Sequence, residues 1–162
     1  GPQSDRAKRR ALAEQTWLEA HDRVRLVRLP GIYGPGRSAL DRVQAGKARR
    51  IVKPGQVFSR IHVDDIASGL EALISSGVLG AFNLCDNAAA PPQDVITYAA
   101  DLLGLEPPPQ IPFDSADLSP MGRSFYAECK RVSNAKIKAA TKWRPQYPTY
   151  REGLSAIALQ MT

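Results

Sequence analysis

Residues 58–70 read FSRIHVDDIASGL and gather an arginine, a histidine and two adjacent aspartates ahead of an apolar run. A carboxylate beside an imidazole can exchange protons, and an arginine can hold an anion. Three readings therefore compete: a catalytic cluster, a metal site, or the polar hand-over from a strand to a helix. Spacing argues against metal. His21 and His62 are about forty residues apart, and Cys85 and Cys129 stand far from each other without CxxC or Cys/His spacing. Glu128, Asp114 and Asp117 have no spacing that pairs carboxylates for acid–base work, and they read as solvated loop charges. Capping chemistry accounts for most of the rest. Asp64 suits the N-cap of a helix and Asp65 its first turn, with positions 66, 67, 70, 73 and 74 as the apolar face. His62 then anchors the strand-to-helix corner through a hydrogen bond, which leaves Arg60 as the residue of this stretch suited to touch a ligand.

The elements that must hold these residues follow from length and pattern. A chain of 162 residues, 43% hydrophobic and 23% charged, is long enough to bury about two-thirds of its unfolded surface as one ordinary domain. No apolar run approaches the ~20 residues of a membrane span, and the RAKRR segment is not followed by an apolar signal core, so a cytoplasmic protein is expected. The net charge of +6 raises the possibility of a nucleic-acid partner. The basic residues are nevertheless dispersed, with no aromatic stacking motif between them, which makes nucleic acid a poor fit.

Residues 5–20 contain no Gly or Pro and predict a helix capped by Ser4 or Asp5, with Ala7, Ala11, Leu12 and Leu18 near one stripe. VRLVRLPG at 24–31 predicts a strand, IYGPGR a loop, and Ser38 with Asp41 a capping box that opens a short helix toward Gly46. Pro54-Gly55 predicts a small hairpin within 47–57. GAFNLCD at 80–86 reads as a second core strand, followed by a helix from Pro91-Pro92 to a stop at Gly104. EPPPQIPFD, 106–114, reads as an extended connector of polyproline type at a subdomain boundary. A short segment at 123–128 follows, then a helix started by Ser133, then a last helix opened by the box of Thr149 and Glu152. Helices alternating with short apolar strands give an α/β fold with a parallel sheet. Two strongly core-like strands are few for such a sheet, so uncovered edges and apolar faces are expected.

Four stretches in order, RLPGIYGPGR, FSRIHVDDIA, GAFNLCD…PPQDVITYAADLLG and KRVSNAKI…WRP.YPTYREGL, resemble the C-terminal half of an extended or atypical short-chain dehydrogenase/reductase of the NAD-dependent epimerase/dehydratase family. The resemblance spans residues 5–160. It implies the later part of a Rossmann-like parallel sheet with helices, plus a C-terminal substrate subdomain, and an N-terminal glycine-rich nucleotide-binding half that this sequence lacks. Gly34-Pro35-Gly36 is not the dinucleotide fingerprint, since it lacks the third glycine at a helix start. The implied organisation is residues 1–105 as the C-terminal portion of the Rossmann-like domain, with substrate-domain elements inserted around 34–60, and residues 106–162 as the substrate subdomain.

The resemblance also implies roles. Pro30, Gly31, Ile32 and Tyr33 fall where family members approach the nicotinamide, and Arg60, Arg131, Arg123 and Tyr126 fall where a substrate would lie. NAD or NADP is implied for the intact parent, with none held tightly by this chain alone. A small-molecule substrate is the implied partner, and the sheet edge would be covered by the N-terminal half or by self-association. Two departures stand out. Aligned on Glu14, the family's catalytic Tyr and Lys positions read Arg6 and Arg10, and arginine stays protonated, so it cannot relay a proton as a phenol does. The position of an arginine that holds the diphosphate in sugar-nucleotide epimerases reads Phe58. The implied activity is therefore the substrate-binding half of an NAD(P)-dependent oxidoreductase or epimerase, inactive alone, with a non-enzymatic dinucleotide sensor as the alternative and a basic nucleic-acid-binding domain as the second.

Overall fold

The computed structural model describes residues 5–127, 129 and 131–161, with the backbone alone for Arg6. Ser4, Glu128 and the Arg6 side chain, all singled out above, lie outside the described residues. The organising feature is an extended run that changes partners at a proline. Strand β1 (Arg25–Arg28) pairs in parallel with β5 (Gly80–Asn83), and β2 (Gly31–Tyr33) pairs in parallel with β4 (Arg60–His62). Pro30, between them, has no N–H to give to a ladder, so the run breaks there. Residues beyond β5 stitch the two pairs together, with Leu84 N–H donating to Arg28 O at 3.1 Å and Asp86 N–H to Arg60 O at 2.8 Å.

The loop expected from Ile32 therefore begins later. Ile32 and Tyr33 are ladder residues, opposite Ile61 and His62, and the turn is closed by a bridge between Gly34 and Arg37. The hairpin expected at 47–57 is also corrected. Pro54-Gly55 does turn the chain, but β3 (Arg50–Val52) takes its partner from far away, pairing in parallel with β6 (Gln110–Pro112). Phe58, which a hairpin would have turned back on β3, instead bridges Ala90, and Gln56 and Val57 are buried. The proline-rich connector is thus extended, as its φ restriction requires, yet three of its residues form a paired strand.

The helices are α1 (Asp5–Ala20), α2 (Ala39–Gln44), α3 (Val63–Ser76), α4 (Pro92–Leu102), α5 (Pro120–Phe125), α6 (Ala135–Thr141) and α7 (Tyr150–Met161). The capping boxes at Ser38/Asp41 and Thr149/Glu152 form as their spacing predicts. At α6 Asn134 holds the N-cap position and sends its amide to Cys85 O at 2.7 Å, while the Ser133 hydroxyl accepts from Ala135 N–H at 3.2 Å.

At α3 the cap is His62 rather than Asp64, its Nδ1 accepting from Asp64 N–H at 3.2 Å. The buried face is also rotated from the apolar positions to Asp65, Gly69 and Leu73, leaving Leu70 and Ile74 exposed. Gly69 causes the rotation: a Cβ there would lie 2.5 Å from Leu84 Cδ2, so only glycine lets the helix sit this close to the strand.

Two apolar clusters hold these layers. Tyr33, Leu40, Val95, Ile96, Leu154 and Ile157 lock α2, α4 and α7 together, while Ile61, Leu73, Phe82, Leu84, Ile137 and Trp143 pack α3 and α6 on β4 and β5. Helix α1 contributes to neither. Its Leu12, Trp17 and Leu18 are 64%, 59% and 46% exposed, and Glu14 is tied to β1 by a two-pronged pair with Arg28. Among the described helices, none is long and apolar enough to cross a membrane.

Candidate functional site

A cleft of about 790 Å³, within the range of small-ligand sites, is lined by β2 and by the chain entering β4, Phe58 to Arg60. One wall is β2 and the turn after it, including Gly31, Ile32 and Tyr33; a second is α2 with Arg42; the far wall is Tyr126 and its neighbours at the end of α5. Arg60 and Phe58 lie between them. Five residues with expected roles, Gly31, Ile32, Tyr33, Arg60 and Tyr126, thus share one cavity.

Pro30, Arg123 and Arg131 do not line it. Pro30 sits at the strand break. Arg123 folds back, donating to Ala116 O at 3.1 Å and lying 4.8 Å over the Phe113 ring, and Arg131 is exposed. Arg10 is exposed on α1, and none of the described side chains of that helix lines the cleft. Residues that sequence reasoning missed are Arg37, Arg42, Lys47 and Arg49, which bring four cations to the rim. The signal was present in GRSALDR: an amphipathic α2 that buries Ala39, Leu40 and Val43 must turn its polar face elsewhere.

Arg60 is held firmly. Its Nη1 donates to Phe58 O at 2.8 Å and to Ala90 O at 3.2 Å, and burial holds its pKa below the usual arginine value, opposed by nearby Asp86. The phenol of Tyr33 is pushed well up, first by burial and then by Asp86 and Asp65, so it stays protonated. Burial lowers the His62 pKa against the pull of Asp64 and Asp65, so the ring is neutral at physiological pH and its 3.6 Å approach to Asp64 is not an ion pair. Tyr33 Oη, His62 Nε2 and Asp86 Oδ2 are buried without a hydrogen-bond partner among the described residues.

Asp86 gives a pH-dependent consequence. Burial raises its pKa from 3.8 to about 6, despite the amide of Ala88 and the charge of Arg60. A folded-state pKa above the unfolded one means stability that is present below about pH 4 and lost as pH rises through about 6. Asp86→Asn keeps the acceptor for Ala88 N–H and removes the buried charge. The variant should gain on the order of 2 kcal/mol over the parent at neutral pH and much less at about pH 4. Urea midpoints at the two pH values check this; an equal gain at both would contradict it.

As a dinucleotide site the arrangement fits one end only. Gly31 and Ile32 present exposed backbone beside apolar side chains, suited to a flat ring. The start of α2, by contrast, is closed by its own box, Ser38 N–H and Oγ both reaching Asp41 Oδ2. The glycine-rich turn that cradles a pyrophosphate at a helix start has no counterpart among the described residues.

No protein-family model matches the chain. A 3-diazoavenalumate denitrifying reductase from a Streptomyces species is 30% identical over 158 residues, covering 90% of this chain and 51% of that protein. The solved structure of a functionally unknown conserved protein from Silicibacter pomeroyi superposes with a TM-score of 0.92 at 50% identity, covering 99% of this chain and 57% of that one. A dTDP-glucose 4,6-dehydratase from Bacillus anthracis, in complex with NAD, superposes with a TM-score of 0.74 at 19% identity, covering 98% of this chain and 52% of that one. The chain thus spans about half the length of the relatives it matches. Its fold is that of the C-terminal part of the Rossmann-like NAD-dependent epimerase/dehydratase structures it superposes on.

Proposed function

We propose that this chain supplies the substrate-binding half of an NAD(P)-dependent oxidoreductase. The observation that carries the reading is the cleft along β2 and the entry to β4, which Gly31, Ile32 and Tyr33 share with Tyr126 and the cations Arg37, Arg42, Lys47 and Arg49. A reduced nicotinamide supplies hydride when bound. This chain's part is to give its ring a flat wall at Gly31–Tyr33, and to orient a substrate between α2 and α5. Residues 34–60 and 106–162 act together as the substrate subdomain, a division supported by the β3–β6 pairing. The exposed apolar side of α1 is the surface on which the remaining sheet of a longer chain, or a second copy, would pack.

The test is calorimetric titration with NADH and NADPH of this chain and of the full reading frame that encodes it, followed by turnover assays of the latter on carbonyl and sugar-nucleotide substrates. This chain should bind either dinucleotide weakly or not at all, because its described residues include no glycine-rich pyrophosphate turn, and the full product should bind one of them. Micromolar binding by this chain alone would overturn that division of labour. A second reading, a dinucleotide sensor without catalysis, is favoured by arginine at both positions aligned with the family's Tyr and Lys, Arg6 and Arg10. Bound cofactor without turnover would select it.

A further inference from the structure

The cleft is two-faced in its chemistry. Its floor and one side are apolar and aromatic: Ile51, Phe58, Val95, Ile96, Leu118 and Phe125. Phe58 stands edge-on to Tyr126 at 5.5 Å, and Tyr126 in turn packs on Phe113 at 5.1 Å. Lys53 fixes this stack by donating to Tyr126 O and lying over the Phe113 ring. The aromatic wall is therefore a built surface with its side chains locked from behind.

The rim carries the opposite character. Arg37, Arg42 and Lys47 line the opening and make no side-chain hydrogen bond or ion pair with other described residues. The carboxylate nearest them in sequence, Asp41, is spent on Ser38. Arg42 and Arg49 both act on the Tyr126 phenol, lowering its pKa against the larger effect of burial, so the cations bear on the aromatic wall itself. Arg60 is committed to two carbonyls and Arg49 donates to Asp117 O at 2.7 Å, which leaves Arg37, Arg42 and Lys47 as the uncommitted cations of the cleft, with Arg42 the one that bears on Tyr126.

We propose that the cleft takes an aromatic monocarboxylate, its ring against Phe58, Phe125 and Tyr126 and its carboxylate at Arg42 and Lys47. A ring gains most from edge and face contacts with fixed aromatic side chains. A carboxylate matches the planar fork of an arginine. A diphosphate would draw on free helix-terminal amides as well as cations, and the box at the start of α2 already takes the Ser38 and Asp41 amides. The proposal rests on reading this cleft as the substrate site and adds the class of substrate.

The test is titration of the chain, without any dinucleotide, by cinnamate, its neutral methyl ester and inorganic phosphate, followed by amide chemical shifts. Cinnamate should bind and shift residues of α2 and the Phe125–Tyr126 wall. The ester, and phosphate, should each bind about tenfold more weakly. The paired exposed-site variant Arg42→Gln/Lys47→Gln should weaken cinnamate about tenfold and leave the ester unchanged. Ester binding equal to the acid, phosphate binding equal to cinnamate, or no shifts with cinnamate would each overturn the proposal. Because no dinucleotide is present, cinnamate binding by a protein whose full reading frame binds no dinucleotide would sink the oxidoreductase reading alone. Dinucleotide binding without cinnamate binding would sink this inference alone.

Discussion

Replacing Gly153 with alanine should destabilise the chain by about 3 kcal/mol, although alanine is ordinarily the better helix former by about 1 kcal/mol. A methyl at that position in α7 would lie 2.0 Å from Tyr33 Oη and 2.7 and 2.8 Å from two of its ring carbons. Tyr33 has little room to retreat, since it is buried and edge-on to His62 at 5.2 Å. Gly153 needs no unusual φ here, so the cost comes wholly from the close approach of a helix to an aromatic ring. In a Tyr33→Leu background the same substitution should cost little, and a double-mutant cycle by urea denaturation measures the difference. Equal losses in both backgrounds would refute the steric account. The contact bears on function because Tyr33 closes the β2 side of the cleft, and a displaced ring would move the wall assigned to the cofactor.

Asp65→Ala should cost about 3–5 kcal/mol, whereas Asp64→Ala, one residue away, should cost less than about 1 kcal/mol. Asp65 is fully buried, its Oδ1 accepting from Gln146 N–H at 2.5 Å and its Oδ2 from Tyr147 N–H at 3.0 Å. Hydrogen bonds to an ionised acceptor are worth about 1.5–3 kcal/mol each, and removing the carboxylate strands both amides. Asp64 is exposed and leaves its backbone N–H to His62. Asp65→Asn should fall between the two, since one of its side-chain atoms becomes a donor facing a donor. Urea denaturation ranks the three variants. Hydrogen exchange at Gln146 and Tyr147 shows whether the loop into α7 has come loose, and an Asp65→Ala variant as mild as Asp64→Ala would contradict the assignment.

The FSRIHVDDIASGL stretch shows what a sequence can disclose. That it hands a strand to a helix, and that His62 is structural, followed from residue types. Which residue caps did not, because Asp64 and His62 both offer a side-chain acceptor in range of first-turn amides, and burial of the histidine against Tyr33 and Tyr147 decides between them. The two aspartates look equivalent in a list. Tertiary packing separates them, turning Asp65 inward to a loop about eighty residues later and Asp64 to solvent.

Local chemistry set α2, α4 and α7, since capping boxes, prolines in first turns and stop glycines act within four or five residues, and α1 followed from a run of helix formers without Gly or Pro. The α/β class followed from the alternation of patterns. Strand partners were another matter. β3 and β6 lie about sixty residues apart, and nothing in KARRIVKPGQV or EPPPQIPFD names the other, so a local turn signal suggested a hairpin that the fold does not make. The cleft divides in the same way. Gly31, Ile32, Tyr33 and Arg60 were singled out through motifs and Tyr126 only by its place in the chain, while the unpaired cations Arg37, Arg42 and Lys47 acquired meaning only when the fold put them in one cleft with aromatic side chains. Helix ends are decided by neighbours in sequence, whereas a binding surface is decided by which distant faces the core forces together.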